Sequence, residues 1–298
     1  MDSIKHRIVE VNGIKMHIAE KGEGPVVLLL HGFPELWYSW RHQIISLASQ
    51  GYKAVAPDMR GYGDTDAPTS FHSYSSLHIV GDLIALIDLL GVDQVFVVGH
   101  DWGAYMAWHL CMFRPDRVKA LVNLSVHFTP RNPSIKPMEP GEMEAECARA
   151  GTDRVIRKLL TLFSNSSPPL IPKETGLGVE PITLPSWLSE EDVNYFVSNF
   201  EKTGFTGGFN YYRAFDLTWE LTAPWTNAQI KVPVKFVVGD LDLVYKFPGA
   251  KEYVHGDSFK ENVPLMQEVV VMEGVGHFIQ QERPDEISKH IFDFIQKF

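Results

Sequence analysis

Three side chains with complementary chemistry follow one another along the chain: Asp101, Asp242 and His277. Asp101 is the centre of Gly99-His100-Asp101-Trp102-Gly103, which follows the apolar run 95–98 and precedes a helical stretch reaching about Phe113. This is a strand, a Gly-x-nucleophile-x-Gly turn and a helix, with Asp in the nucleophile's place. The competing role for Asp101 is a helix N-cap, common for Asp at a helix start. A carboxylate in the turn can displace at saturated carbon and leave an ester that water cleaves. It is ionised at neutral pH, and the positive end of the helix favours the anion by about 0.3–1 kcal/mol. A base is therefore needed for the water rather than for Asp101.

His277, in Gly274-Val275-Gly276-His277-Phe278, is the candidate base, and an acid between nucleophile and histidine should orient its ring. Asp240 and Asp242 both follow the run 236–238, and Asp242 is expected because it stands farther past the strand. His31-Gly32-Phe33-Pro34 ends the run 26–30. The backbone N–H groups of Phe33 and Trp102 are expected to form an oxyanion hole, here for the ester carbonyl of Asp101 itself. His31 is expected to brace its loop.

Along the chain, the runs 26–30, 54–56, 95–98, 120–124, 236–238 and 269–272 are short and mostly β-branched, as buried strands are. Leu77, Val80, Leu83, Ile84, Ile87 and Leu90 have helical spacing, as do Ile287, Ile291, Phe294, Ile295 and Phe298. Such alternation predicts an α/β fold with a mostly parallel sheet and helices on both faces. Asn12-Gly13 predicts a hairpin at its start. The rhythm breaks from 129 to 227, where prolines and helical stripes replace strands. Ser189 and Asp192 resemble a capping box ahead of Val193, Phe196, Val197 and Phe200. We expect a core of 1–128 and 228–298, with 129–227 inserted as a helical lid over the strand ends, where ligands bind.

The chain has 298 residues, a formal charge of -10 and 45% hydrophobic residues. An acidic globular protein is a poor partner for nucleic acid or anionic membranes. Two cysteines without metal spacing suit a reducing compartment. No apolar run approaches the roughly 20 residues that span a bilayer. The first ten residues lack the apolar stretch of a signal peptide, and the last three are no organelle address. A soluble, cytoplasmic protein is expected, monomeric or homodimeric, with no metal and no cofactor.

His31-Gly32-Phe33-Pro34-Glu35, Asp58-Met59-Arg60-Gly61-Tyr62-Gly63, the turn around Asp101 and the loop around His277 resemble the α/β-hydrolase-fold epoxide hydrolases, closest to the plant soluble group. The stretch Gly204-Phe205-Thr206-Gly207-Gly208-Phe209-Asn210-Tyr211-Tyr212-Arg213 is the most diagnostic. The resemblance spans nearly the whole chain. It implies an α/β-hydrolase fold and hydrolysis of an epoxide to a diol, with Tyr212 supplying a proton to the opened ring; Tyr211 is expected to be structural. Glu35 and His100 lie beside the site by sequence, and such residues in the family can position the hydrolytic water; a purely structural role is the alternative. Trp187, Phe205 and Phe209 suggest an apolar substrate.

The family usually carries a second lid tyrosine, but 129–154 contains none, and the stretch 132–141 is shorter than its counterparts. Either the protein has lost a segment, or residues between Pro137 and Met138 are missing from this sequence; the second reading requires no loss of function and is preferred. A haloalkane dehalogenase shares the Asp nucleophile, and the Trp102 indole suits a halide, but halide needs no phenol. A non-catalytic receptor on this fold is disfavoured by the intact Asp101, Asp242 and His277. A serine esterase is disfavoured by Asp at the turn, since Ser125 lacks one.

Overall fold

The computed structural model describes residues 4–133, 147, 149–162 and 181–298. Strands β1 (Lys5–Val11) and β2 (Ile14–Lys21) form a hairpin in which Val11 faces Ile14. Asn12 and Gly13 have φ of 47° and 79°, the left-handed pair that a two-residue hairpin turn requires. The sheet continues with β3 (Val26–Leu30), β4 (Lys53–Pro57), β5 (Val95–His100), β6 (Val118–Leu124), β7 (Val234–Gly239) and β8 (Met266–Met272). The spatial order is β1-β2-β4-β3-β5-β6-β7-β8, and only β2 runs antiparallel to its neighbours. Every residue of β3, β5 and β7 is buried, which explains their continuous apolar runs. β8, at the sheet edge, is half open.

Helix α1 (Arg41–Ser49) joins β3 to β4, α2 (Ser76–Leu89) joins β4 to β5, and α3 (Trp102–Phe113) joins β5 to β6. The β3–β4 and β5–β6 crossovers step in opposite directions along the sheet. Right-handed crossovers then place α1 and α3 on opposite faces. Between β6 and β7 the described residues hold helices α4 (Thr152–Leu162), α5 (Glu190–Thr203), α6 (Thr206–Arg213) and α7 (Phe215–Leu221), and no strand. Ser189 and Asp192 form a reciprocal capping box on α5, with Val193, Phe196, Val197 and Phe200 buried. The shortened stretch at 132–141, including the junction of Pro137 and Met138, lies outside the described residues beyond Pro133.

The last helix, α8 (Pro284–Ile295), packs on α1. The apolar stripe expected to include Phe298 ends at Ile295. Phe298 lies past the final turn, 40% exposed, where the backbone has left the helical path that would turn its ring inward. Among the described residues, no helix is long and apolar enough to cross a membrane.

The parallel strands deliver five loops to one edge: those after β3, β5, β6, β7 and β8 bring Phe33, Asp101, Ser125, Asp242 and His277 to the same end of the sheet. Helix α6 docks there backbone to backbone. A Cβ on Gly207 would lie 2.0 Å from the carbonyl oxygen of Gly61, so glycine is required for that approach.

Candidate active site

Asp101 occupies the tight turn between β5 and α3 with φ 52° and ψ -122°. A non-glycine residue held there costs roughly 1–3 kcal/mol, and the surroundings must enforce it. Gly103 makes the turn possible, since a Cβ would lie 2.1 Å from the Leu30 carbonyl oxygen. Although Asp101 stands at the N-cap position of α3, its side chain makes no capping bond. Its Oδ1 instead accepts from Phe33 N–H at 2.7 Å, and its Oδ2 lies 3.5 Å from His277 Nε2. Burial alone would raise the pKa of Asp101, but the bond and charge of His277, with the Phe33 N–H, outweigh it and lower it. Of the two expected oxyanion donors, Phe33 meets the carboxylate; among the described contacts, Trp102 N–H makes no bond to it.

His277 Nδ1 lies 3.0 Å from Asp242 Oδ2. Asp242 is fully buried and also accepts from Val244 N–H at 2.7 Å. Asp240 points elsewhere, accepting from Gly274 N–H at 2.7 Å. Burial would lower the pKa of His277, yet the Asp242 and Asp101 carboxylates on either side hold it well above the ordinary imidazole value. The His277 ring thus lies between the carboxylates of Asp242 and Asp101. Its loop is clamped by Glu282, whose carboxylate accepts from Gly276 N–H at 2.8 Å and Phe278 N–H at 3.1 Å. Ser125 Oγ donates to the His277 carbonyl at 3.0 Å.

A second carboxylate–imidazole pair lies alongside. Glu35 Oε2 is 2.7 Å from His100 Nδ1, and both residues are fully buried. His100 Nε2 is 2.8 Å from the carbonyl oxygen of His277. Both ring nitrogens of His100 thus have polar partners, and the Gln280 amide nitrogen also lies 3.2 Å from Nδ1. Glu35 also accepts from Gly32 N–H at 3.1 Å, Gln280 Nε2 at 2.7 Å and Gln281 Nε2 at 3.2 Å. Four donors occupy its two oxygens, about the capacity of a carboxylate. Burial would raise the pKa of Glu35; His100 outweighs it and lowers it. His31 braces its loop, with Nδ1 on the Gly32 carbonyl at 2.9 Å and Nε2 accepting from Met59 N–H at 3.0 Å.

Tyr212, on α6, stands between the two residues that flank Asp101. Its ring meets Trp102 edge to face at 4.8 Å and Phe33 at 6.1 Å. Burial raises its pKa, the nearby Asp101 charge adds to this, and a hydrogen bond from the Trp102 side chain pulls it back. Among the described residues, 45% of Tyr212 is nevertheless accessible. Tyr211 is turned away, its hydroxyl donating to the Arg60 carbonyl at 2.9 Å. Phe205 and Phe209 pack on Phe33 at 6.3 and 5.3 Å, and Trp187 lies 6.0 Å from Phe278. The surroundings are apolar and aromatic. Among the described residues, no group of three or more His, Cys, Asp or Glu could hold a metal.

Sequence reasoning did not find Gln280, Gln281, Glu282 or Arg41 at this site. The polar run Gln280-Gln281-Glu282 directly after His277-Phe278-Ile279 was the available signal, since an apolar helix start needs no amides. Arg41 carried none.

The sequence profile described as the α/β hydrolase fold matches residues 25–284. The chain is 60% identical to "Epoxide hydrolase 2" of Siraitia grosvenorii, with both chains covered in full. That alignment spans 317 positions against 298 residues here, so gaps fall in this chain. An epoxide hydrolase from Vigna radiata superposes with a TM-score of 0.95 at 57% identity, covering 100% of this chain and 99% of that one. A mutant of the epoxide hydrolase from Solanum tuberosum gives 0.93 at 56%, covering 99% of this chain and 100% of that one.

Proposed function

The chain belongs to the α/β-hydrolase-fold epoxide hydrolases, and from that premise we propose that it converts apolar epoxides to vicinal diols through an ester formed on Asp101. The observation that carries this reading is the row Phe33 N–H, Asp101, His277, Asp242, with Tyr212 of α6 packed on Phe33 and Trp102 beside it. Asp101 Oδ attacks an epoxide carbon, the ring C–O bond breaks, and the departing oxygen takes the phenolic proton of Tyr212. The proton of the His277 imidazolium then restores the phenol.

Ester formation removes the negative charge of Asp101, one of the two anions that hold the proton on His277. The imidazole then accepts a proton from water, oriented and stabilised by Asp242. Hydroxide attacks the ester carbonyl, whose oxygen is held by the N–H groups of Phe33 and Trp102. Collapse frees the diol and the carboxylate, and His277 carries the proton between them. Residues 129–227 act as the lid that presents Tyr212, over a core of 1–128 and 228–298. Glu35 and His100 belong to the support of the site. Its partners are water and an apolar epoxide; neither nucleic acid nor membrane is among them. The acidic charge and low cysteine count support a cytoplasmic protein, monomeric or homodimeric. The Trp102 indole, which halide binding would need, is engaged with Tyr212, and this favours the epoxide over a haloalkane.

The test is a side-by-side assay of a fatty-acid epoxide, a styrene-type oxide and a haloalkane, with His277→Gln followed by intact mass. Diols from the epoxides alone, and a variant heavier by one substrate, are expected. Halide release without diol formation contradicts the reading.

A further inference from the structure

Arg41, the first residue of α1, is 4% exposed and its guanidinium bonds in three directions. Nη2 lies 2.9 Å from Asp192 Oδ1. Nη1 donates to the Tyr38 carbonyl and to Gln281 Oε1, each at 3.1 Å. Asp192 is the capping-box residue of α5, and it also accepts from Tyr38 Oη at 3.0 Å. Gln281 Nε2 passes the chain to Glu35, Glu35 to His100, and His100 to the carbonyl of His277. The amide of Gln281 fits only one way round, its oxygen on the arginine and its nitrogen on the carboxylate. A buried polar path thus joins the start of α5 to the backbone of His277.

Helix α5 is anchored by Asp192 on Arg41 and Tyr38 and by Tyr195 on Trp37. The further reach of Arg41 to Gln281 does nothing for α5, but it fixes the amide that holds Glu35. We propose that Arg41 is a positioning residue that couples the seating of α5 to the orientation of His277, so that ester hydrolysis runs at full rate only when the Asp192 end of the inserted region is docked. This rests on the two-step reading above. Arg41 and Gln281 bond to neither Asp101 nor Tyr212, the two side chains that carry the ring-opening step. Lysine cannot replace the arginine, because a point charge lacks the fork that reaches Asp192 and Gln281 together.

Single-turnover experiments with a styrene-type oxide resolve ester formation from ester loss. In Arg41→Lys and in Gln281→Met, ester loss should slow by about 10- to 100-fold, as a small misplacement of a reacting group costs. Ester formation should stay within about twofold of the parent rate. Asp192→Asn, which retains a capping side chain, should slow ester loss in the parent but have little effect when added to Gln281→Met, because the path is already cut. Should Arg41→Lys fail to fold, Gln281→Met and the Asp192→Asn cycle carry the test. Equal slowing of both steps, no slowing of either, or an Asp192→Asn effect that is the same in both backgrounds overturns the coupling. If the parent forms no ester, the Asp101 reading falls and the coupling with it. If the ester forms and the variants hydrolyse it normally, the coupling alone is wrong.

Discussion

Two buried carboxylate–imidazole pairs stand side by side at the strand ends, Asp242–His277 and Glu35–His100, with their imidazole rings 4.8 Å apart. Their chemistry is the same, and the difference lies in what the second nitrogen meets. That of His100 is held by the His277 carbonyl at 2.8 Å. That of His277 faces the Asp101 carboxylate at 3.5 Å. A pair closed on a backbone carbonyl holds that backbone in place, whereas a pair whose second nitrogen meets the nucleophile can exchange a proton with the reacting groups. Residue type alone does not separate them; the partner of the second nitrogen does.

Substitution of the group that faces His277 separates the two pairs most sharply. Asp101→Asn should reduce diol formation by at least about 10⁴-fold, as loss of a covalent nucleophile does, measured by product yield under saturating substrate. A residual rate near the parent's would remove Asp101 from the chemistry. Tyr212→Phe should slow ester formation by about 10²–10⁴-fold, the range for a missing general acid, and leave ester loss nearly unchanged. Equal slowing of both steps would make Tyr212 a packing residue.

On the Glu35–His100 pair the effect should fall on stability first. Glu35→Gln leaves a buried imidazole without its anion and should cost about 3 kcal/mol, read from urea unfolding. A change below the error of the measurement would mean the pair holds nothing in place.

The smallest effect is a shift in a pH profile. Ester formation neutralises Asp101, one of the two carboxylates that raise the His277 pKa, and leaves Asp242, while His100, Glu35 and Glu282 keep their places around the His277 loop. The pKa of His277 should therefore be lower in the ester than in the resting enzyme, where it is held well above the usual value. Ester loss should rise with pH through that lower value. Comparing the single-turnover profile with an NMR titration of the free enzyme checks the sign, and a higher value in the ester contradicts it.

The strand ends were legible because short β-branched runs stop at glycine-bearing loops, and this places Asp101, Asp242 and His277 on one edge. Distance past the strand separates Asp240 from Asp242, and it is Asp242 that meets His277. The capping box of α5 was also legible, since its partners are three residues apart. Arg41 and Gln281 were not: they meet across 240 positions in sequence, and neither periodicity nor any motif predicts such a pair. Phe298 shows the other limit, for spacing cannot say where a helix frays.

Oxygen should reach the diol through the carboxylate of Asp101. One turnover with enzyme in excess, in water enriched in heavy oxygen, followed by digestion and mass spectrometry of the peptide bearing Asp101, tests this directly. The label should appear in that side chain while the first diol released carries ordinary oxygen. Heavy oxygen in the first diol, with an unlabelled Asp101, would contradict the account.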